Sequence, residues 1–168
     1  KIHDWQEVID YHFLDKKNKS TRSRVASENA SIQIETVHKE RVSDHVFSIV
    51  QSTNDKFPSR VRLSVATEDP VTEDMIPSHT QTSHVRIKHV KRYRFGFWSY
   101  EISKVWCGET HSEAMKQKER NNTRYEVEVE CTDPAYFRKN TVEYLGISTL
   151  LKAFSILSPA CGEQTTLQ

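Results

Sequence analysis

The feature that most restricts how this chain folds is a two-residue alternation of charged and apolar side chains, repeated along most of its length. In a β-strand successive side chains point to opposite faces. The run Tyr125-Glu126-Val127-Glu128-Val129-Glu130-Cys131 therefore sets three carboxylates on one face and Val127, Val129 and Cys131 on the other. Arg60-Val61-Arg62-Leu63-Ser64-Val65 does the same with basic residues. Between 86 and 95, Arg86, Lys88, Arg92 and Arg94 share one parity, with Val90 interrupting the row. Arg22 and Arg24 share a face in an earlier segment, as do Lys39 and Arg41.

β-Branched and aromatic residues alternate with polar ones over residues 21–26, 31–42, 46–50, 60–67, 84–95, 98–106 and 125–131, which predicts seven strands. Polar or proline-bearing breaks fall at 27–30, 52–59, 68–82 and 108–123, and Gly96 marks a hairpin between two long strands. Residues 3–13 carry Trp5, Val8, Ile9 and Phe13 at helical spacing behind a possible N-cap, Asp4. A second helix is predicted over 144–157, with Leu150, Leu151, Phe154 and Leu157 near one face. Strands in succession with helices at the ends make an antiparallel barrel or sandwich, and 168 residues suit a single domain, 1–168.

Charge composition narrows the function. With 24 basic and 23 acidic side chains the net charge is +1, far below that of a general electrostatic nucleic-acid binder. Any anion recognition then comes from local segregation of charge. Hydrophobic residues make up 36%, mean hydropathy is −0.70, and no stretch approaches the ~20 apolar residues of a membrane-spanning helix. Cys107, Cys131 and Cys161 form no Cys-x-x-Cys pair, so a reducing intracellular compartment is expected. No His or Cys spacing suits zinc, and neither a P-loop nor a GxGxxG motif occurs. Trp5, Trp98 and Trp106 read as packing anchors.

Each charged strand face alone reads as solvated surface, and charge on an edge strand guards against aggregation. Several basic faces and one acidic face in one all-β domain are better explained by a shared charged interior, with the apolar faces packed outward. Arg and Lys side chains there can hold a polyanion, and neighbouring carboxylates offer oxygen ligands to Mg²⁺ or Mn²⁺.

At Tyr125-Glu126-Val127-Glu128-Val129-Glu130 the sequence resembles the Glu-x-Glu-x-Glu strand of the metal-dependent RNA 5′-triphosphatases of messenger-RNA capping. These are the fungal, protozoan and DNA-virus type, within the triphosphate tunnel metalloenzymes. RVRLSVATEDPV looks like that family's basic strand running into an acidic residue, here Glu68. VRIKHVKRYRFGFWSYEISKV looks like its Arg/Lys-rich strand followed by Glu101-Ile102-Ser103, with Ser103 where threonine is usual. TRSRV and VHKERV match earlier basic strands loosely, so the resemblance covers residues 21–130.

What the resemblance implies is a mainly β, closed antiparallel barrel, the triphosphate tunnel, with flanking helices. It implies removal of the γ-phosphate from triphosphate-ended RNA with Mg²⁺ or Mn²⁺. Glu128 and Glu130 would be metal ligands, and Glu126 would orient a basic residue or a metal-bound water. Arg92 and Arg94 would clamp the transferring phosphoryl group, with Arg86 and Lys88 beside them. Arg24, Lys39, Arg41, Arg60 and Arg62 are weaker substrate-binding candidates. Glu68 and Glu101 would hold basic side chains or position water. The family also carries a second alternating glutamate pair on an N-terminal strand. No Glu-x-Glu occurs before Tyr125, so that strand either lies ahead of Lys1 or is lacking, which would leave the metal site incomplete. Implied partners are 5′-triphosphate RNA and a capping guanylyltransferase, in the nucleus or, for a viral protein, the host cytoplasm. The alternatives are another tunnel triphosphatase, acting on tripolyphosphate, thiamine triphosphate or a nucleotide, and a non-catalytic RNA- or phosphate-binding barrel.

Overall fold

A computed structural model describes residues 5–17, 19–28, 31–48, 60–72, 76 and 81–161. Seven strands make one antiparallel sheet. They are β1 (Gln6–Leu14), β2 (Ser20–Glu28), β3 (Ser31–Ser48), β4 (Arg60–Pro70), β5 (His84–Phe95), β6 (Trp98–Gly108) and β7 (Arg124–Cys131), in the order β4-β3-β2-β1-β5-β6-β7. Helix α1 (His111–Glu119) lies between β6 and β7, and α2 (Pro134–Lys139) and α3 (Val142–Cys161) follow. The mainly β, antiparallel fold with flanking helices is observed as expected, but in place of the expected closed barrel the described strands form a half-barrel. The sheet curls into a half-barrel around a cavity of about 2860 Å³, to which all seven strands contribute. Among the described residues its edges, β4 and β7, are not hydrogen-bonded to each other. Helix α3 packs on β7 and also reaches β4, where a Cβ placed on Gly146 would lie 3.6 Å from Leu63 Cδ2.

The first segment corrects the helix predicted over 3–13: it is the central strand β1. Val8, Ile9 and Phe13 satisfy helical spacing, but Ile9, Tyr11 and Phe13 also alternate. Tertiary pairing decides between the two periods, because β1 hydrogen-bonds to β2 on one side and β5 on the other. A short lone helix is marginal in water, and that double pairing is not. The strands predicted at 31–42 and 46–50 are likewise one strand, β3, as far as Ser48; residues 49 and 50 lie outside the described residues. A bulge between Arg41 and Ser43 absorbs the extra residue Val42 and lets pairing with β4 continue to Ser48.

The outer face carries the apolar core. Val85, Ile87, Trp106 and Ala114 are buried together, with Ile9, Tyr11 and Met115 packed against them. Helix α1 supplies Ala114 and Met115, so the segment predicted as a break at 108–123 is instead the lid on this face. Its capping box was readable as Thr110-x-x-Glu113. Glu113 N donates to Thr110 Oγ1 at 3.2 Å, and Thr110 N donates back to the Glu113 carboxylate at 3.3 Å. The helix was hidden because its exposed face is wholly polar. Trp98 and Trp106 are buried anchors, as expected. Trp5 is instead half exposed, with the Lys104 ammonium 5.4 Å from its ring.

Two glycines differ in what they tolerate. Gly96 turns the β5–β6 hairpin at φ +57 and faces open space. A Cβ on Gly108 would lie 2.5 Å from Ala114 N and 2.7 Å from Glu113 Cβ, against the first turn of α1. Gly108→Ala is therefore expected to lower unfolding free energy by about 1–3 kcal/mol, the usual cost of overpacking. Urea titration of the variant beside the unmutated protein checks this, and an unchanged midpoint would show that α1 can shift freely.

Candidate active site

The charged residues predicted to face inward meet in the half-barrel because register places them there. Pairing sets Asp10 of β1 opposite Arg24 of β2 and Arg86 of β5. Asp10 is 1% exposed, and Arg24 grips it with both ends of its fork: Nε donates to Oδ1 at 2.7 Å and Nη2 to Oδ2 at 3.0 Å. Burial pushes the Asp10 pKa up, but the Arg24 hydrogen bonds and charge more than offset it and hold the carboxyl below its ordinary range.

A second cluster spans β5, β6 and β7, where Glu101 lies between Arg92 and Glu128 across the ladder. Lys88 is 1% exposed, and its Nζ donates to Glu101 at 3.2 Å and to Glu128 at 3.3 Å. The other Glu101 oxygen accepts from Arg92 Nε at 2.7 Å, and Ser103 Oγ donates to Glu101 at 3.3 Å. Burial raises the Glu101 pKa, yet the charges of Lys88 and Arg92 bring it below normal. Arg86 pairs with Glu126.

The third cluster joins the two edges of the sheet. Lys39 Nζ lies 2.8 Å from Glu68, and Arg22 Nη2 lies 3.6 Å from the same carboxylate. Glu130 behaves differently from every other carboxylate of the cavity whose shift is resolved. Although Glu130 as a whole stays exposed, partial desolvation inside the cavity raises its pKa, the charge of Glu68 raises it further, and Glu128 adds to this against the opposing charges of Lys39 and Arg22. A carboxyl in that negative field favours a proton or a cation.

Thus Glu68, Glu101, Glu126, Glu128 and Glu130 all line one cavity, as do Arg24, Lys39, Arg41, Arg62, Arg86, Lys88, Arg92 and Arg94. The side chain of Arg60 lies outside the described residues. Val90 does not break the basic row of β5: it occupies the same inner face, 1% exposed, and pairing with β6 runs unshifted through Ser103. The residues are not equivalent, however. Arg62 is engaged by Asp44 at 2.8 Å, and Arg41 lies 4.0 Å from the same carboxylate. Arg94 is exposed at the rim, with no carboxylate partner among the described residues. Among the described residues no three His, Cys, Asp or Glu side chains converge as a metal site.

Sequence reasoning missed Asp10 and His12, because a helix at 3–13 scatters them. Read with period two, Asp10 falls on the face opposite Ile9, Tyr11 and Phe13, and that signal could have found it.

Comparison with known proteins agrees with this geometry. The profile of the mRNA capping enzyme beta-chain family, the mRNA triphosphatases, matches residues 2–145. The chain belongs to that family. Among solved structures it is similar to the S. pombe Pct1 RNA triphosphatase, with 21% identity and a TM-score of 0.54, over 81% of this chain and 46% of that one. It therefore spans about half the length of that protein. No curated protein matches it in sequence.

Two outcomes test the electrostatics of this family member's cavity. Asp10→Asn leaves the Arg24 guanidinium buried without a charge partner, so stability should fall by about 3–5 kcal/mol in urea unfolding. The second concerns His12, whose pKa is lowered to about 4. Burial is the main cause; Asp10 opposes it, and Arg86, His84 and Arg22 reinforce it. The unfolded chain takes up this proton near 6.5, so stability should decline as pH falls from 6.5 toward 4. His12→Gln should remove that part of the decline. An identical pH profile in the variant would contradict a neutral buried imidazole.

Proposed function

We propose that this cavity binds the 5′-triphosphate end of RNA and hydrolyses its γ-phosphate, leaving a diphosphate end for a capping guanylyltransferase. The observation that carries the reading is the meeting of two carboxylates on one strand face, Glu128 and Glu130, with Lys88, Arg86 and Arg92 in the cavity of the half-barrel. Membership of the capping beta-chain family supports the substrate.

The chain's own residues act by position. Glu101 fixes Lys88 and Arg92 from two oxygens at once, so neither cation has to be ordered when the anion arrives. Lys88 lies beneath a low-dielectric wall, where a phosphate oxygen gains more from its charge than it would in water. The Arg92 fork has donors beyond the one given to Glu101 and can address a second oxygen. In the reaction water adds to the γ-phosphorus, the bond to the β–γ bridging oxygen breaks, and orthophosphate leaves. That transition state asks mainly for alignment and charge neutralisation.

The donor set fits a hard divalent ion. Glu128 and Glu130 offer oxygen ligands in a field that raises the Glu130 pKa, and Mg²⁺ is typically held by one or two carboxylates plus substrate phosphates. Bound there, Mg²⁺ or Mn²⁺ would supply charge neutralisation at the γ-phosphate and lower the pKa of a bound water.

The test is phosphate release from triphosphate-ended RNA by the full-length protein, with Mg²⁺ and then Mn²⁺. Glu130→Gln keeps the shape and removes the charge, and it should lower kcat by roughly 10²-fold or more, as should Arg92→Ala. Arg92→Lys should already impair the rate, because it loses the planar fork. Tight RNA binding without phosphate release under either metal would defeat the hydrolase reading and favour a binding barrel.

A further inference from the structure

One end of the cavity is built differently from the rest. His12 of β1 and His84 of β5 pair in register with ring centroids 5.9 Å apart, and Arg22 of β2 lies opposite His12. Arg86 is the next inward-facing residue on β5, and Arg124 begins β7. All five line the same cavity as the glutamates. We infer that His12, His84 and Arg124 form a subsite for a phosphodiester of the RNA backbone, downstream of the triphosphate. The inference rests on the triphosphatase reading and adds to it a second contact with the same substrate.

Position is the first argument. Arg124 precedes Glu130 by six residues on one strand, about 20 Å at roughly 3.3 Å per residue. Three phosphates joined by single bridging oxygens, with the last at Glu128 and Glu130, do not span that distance. The chain beyond them does.

Charge is the second argument. The carboxylates nearest this end are committed elsewhere: Asp10 to Arg24, and Glu126 to Arg86. The remaining neighbour on β6 is the Cys107 thiol, opposite Arg86. Among the described residues Arg124 has no carboxylate partner, and neither imidazole has one within ion-pair distance. Both imidazoles are held below their ordinary pKa, His84 by burial and then by the charges of Arg86 and Arg124. Burial is the larger cause at both, and the guanidinium charges that add to it also attract an anion.

Hydrogen bonding is the third. His12 Nε2 and Arg22 Nε are buried and unpartnered among the described residues. One guanidinium without a carboxylate and two neutral imidazole donors suit the single charge of a phosphodiester. The more highly charged triphosphate is better met by Lys88, Arg86 and Arg92.

The experiment separates this subsite from the hydrolase reading by using a short 5′-hydroxyl oligoribonucleotide, which has no triphosphate. Imidazole titration by NMR on the unmutated full-length protein should show the His12 and His84 pKa values rising when it is added, since a bound anion stabilises the imidazolium. In binding assays Arg124→Ala should weaken affinity for the oligonucleotide and reduce the slope of log K against log salt by about 0.7. With triphosphate-ended RNA, the gain in affinity from one nucleotide to several should shrink in Arg124→Ala and in His84→Ala. Imidazoles that ignore the oligonucleotide while phosphate release persists would overturn the subsite and leave the hydrolase. Absent phosphate release would overturn the hydrolase, with the imidazole titration still deciding the subsite. An unchanged salt slope in Arg124→Ala would also overturn it.

Discussion

Everything in this molecule depends on the pairing of Lys88 with Glu101 and Glu128. An ammonium 1% exposed is costly to remove from water unless carboxylates meet it. Glu101 is itself buried and needs both Lys88 and Arg92, and Arg92 in turn reaches Gln6 of β1 at 3.4 Å. The Asp10–Arg24 fork, level with Arg86, carries the same logic from β1 to β2. Across five of the strands, β1, β2, β5, β6 and β7, the polar interior is therefore made of paired counter-ions. Removing one member strands another, so the interior of the half-barrel is held by the same contacts that would receive a substrate.

That arrangement inverts the usual division between core and surface. In most sheets with one dry face, the apolar side is the interior of the fold and the charged side meets bulk water. Here the curl turns the charged face onto the cavity of the half-barrel, and the apolar face is covered from outside by α1. The cover is partial. Val85, Ile87 and Trp106 lie beneath α1, whereas Tyr125 and Val127 on the outer face of β7 remain exposed at 71% and 44%. The dry side of the sheet is thus concentrated on β1, β5 and β6, the strands whose inner faces carry Asp10, Lys88, Glu101 and Ser103. Rigid backing stands directly behind the buried charges.

The strands and their faces were readable from sequence where alternation was strict. Residues 84–95 and the glutamate strand gave both extent and parity, because charged and apolar residues alternate through nearly all of them, with Val90 and Lys91 the exceptions. β1 misled because Trp5, Ile9 and Phe13 fit both periods, and only its neighbours on both sides choose between them. The bulge at Val42 was invisible because Ser43-Asp44-His45 reads as a turn when nothing indicates that β4 continues alongside. Which cations are engaged and which are not was beyond sequence altogether. Arg62 and Arg92 look alike in an alternating pattern, but one is tied to Asp44 on an exposed arm and the other to Glu101 in the buried cluster.

The odd position of Glu130 follows from the same topology. Five carboxylates reach the cavity near its inward-facing cations, and Glu101, Glu126, Glu128 and Glu68 each have a Lys or Arg within ion-pair distance. Glu130 has none among the described residues, because its ladder neighbour on β6 is Ser99 and its neighbour across the gap is the like-charged Glu68. No described strand stands between those two. With α3 spanning from β7 to Leu63 instead, the two edges bring carboxylates into each other's field. The negative pole of the cavity therefore lies at the seam between β4 and β7, and the Arg124 end of β7, with His84 beside it, forms the positive one.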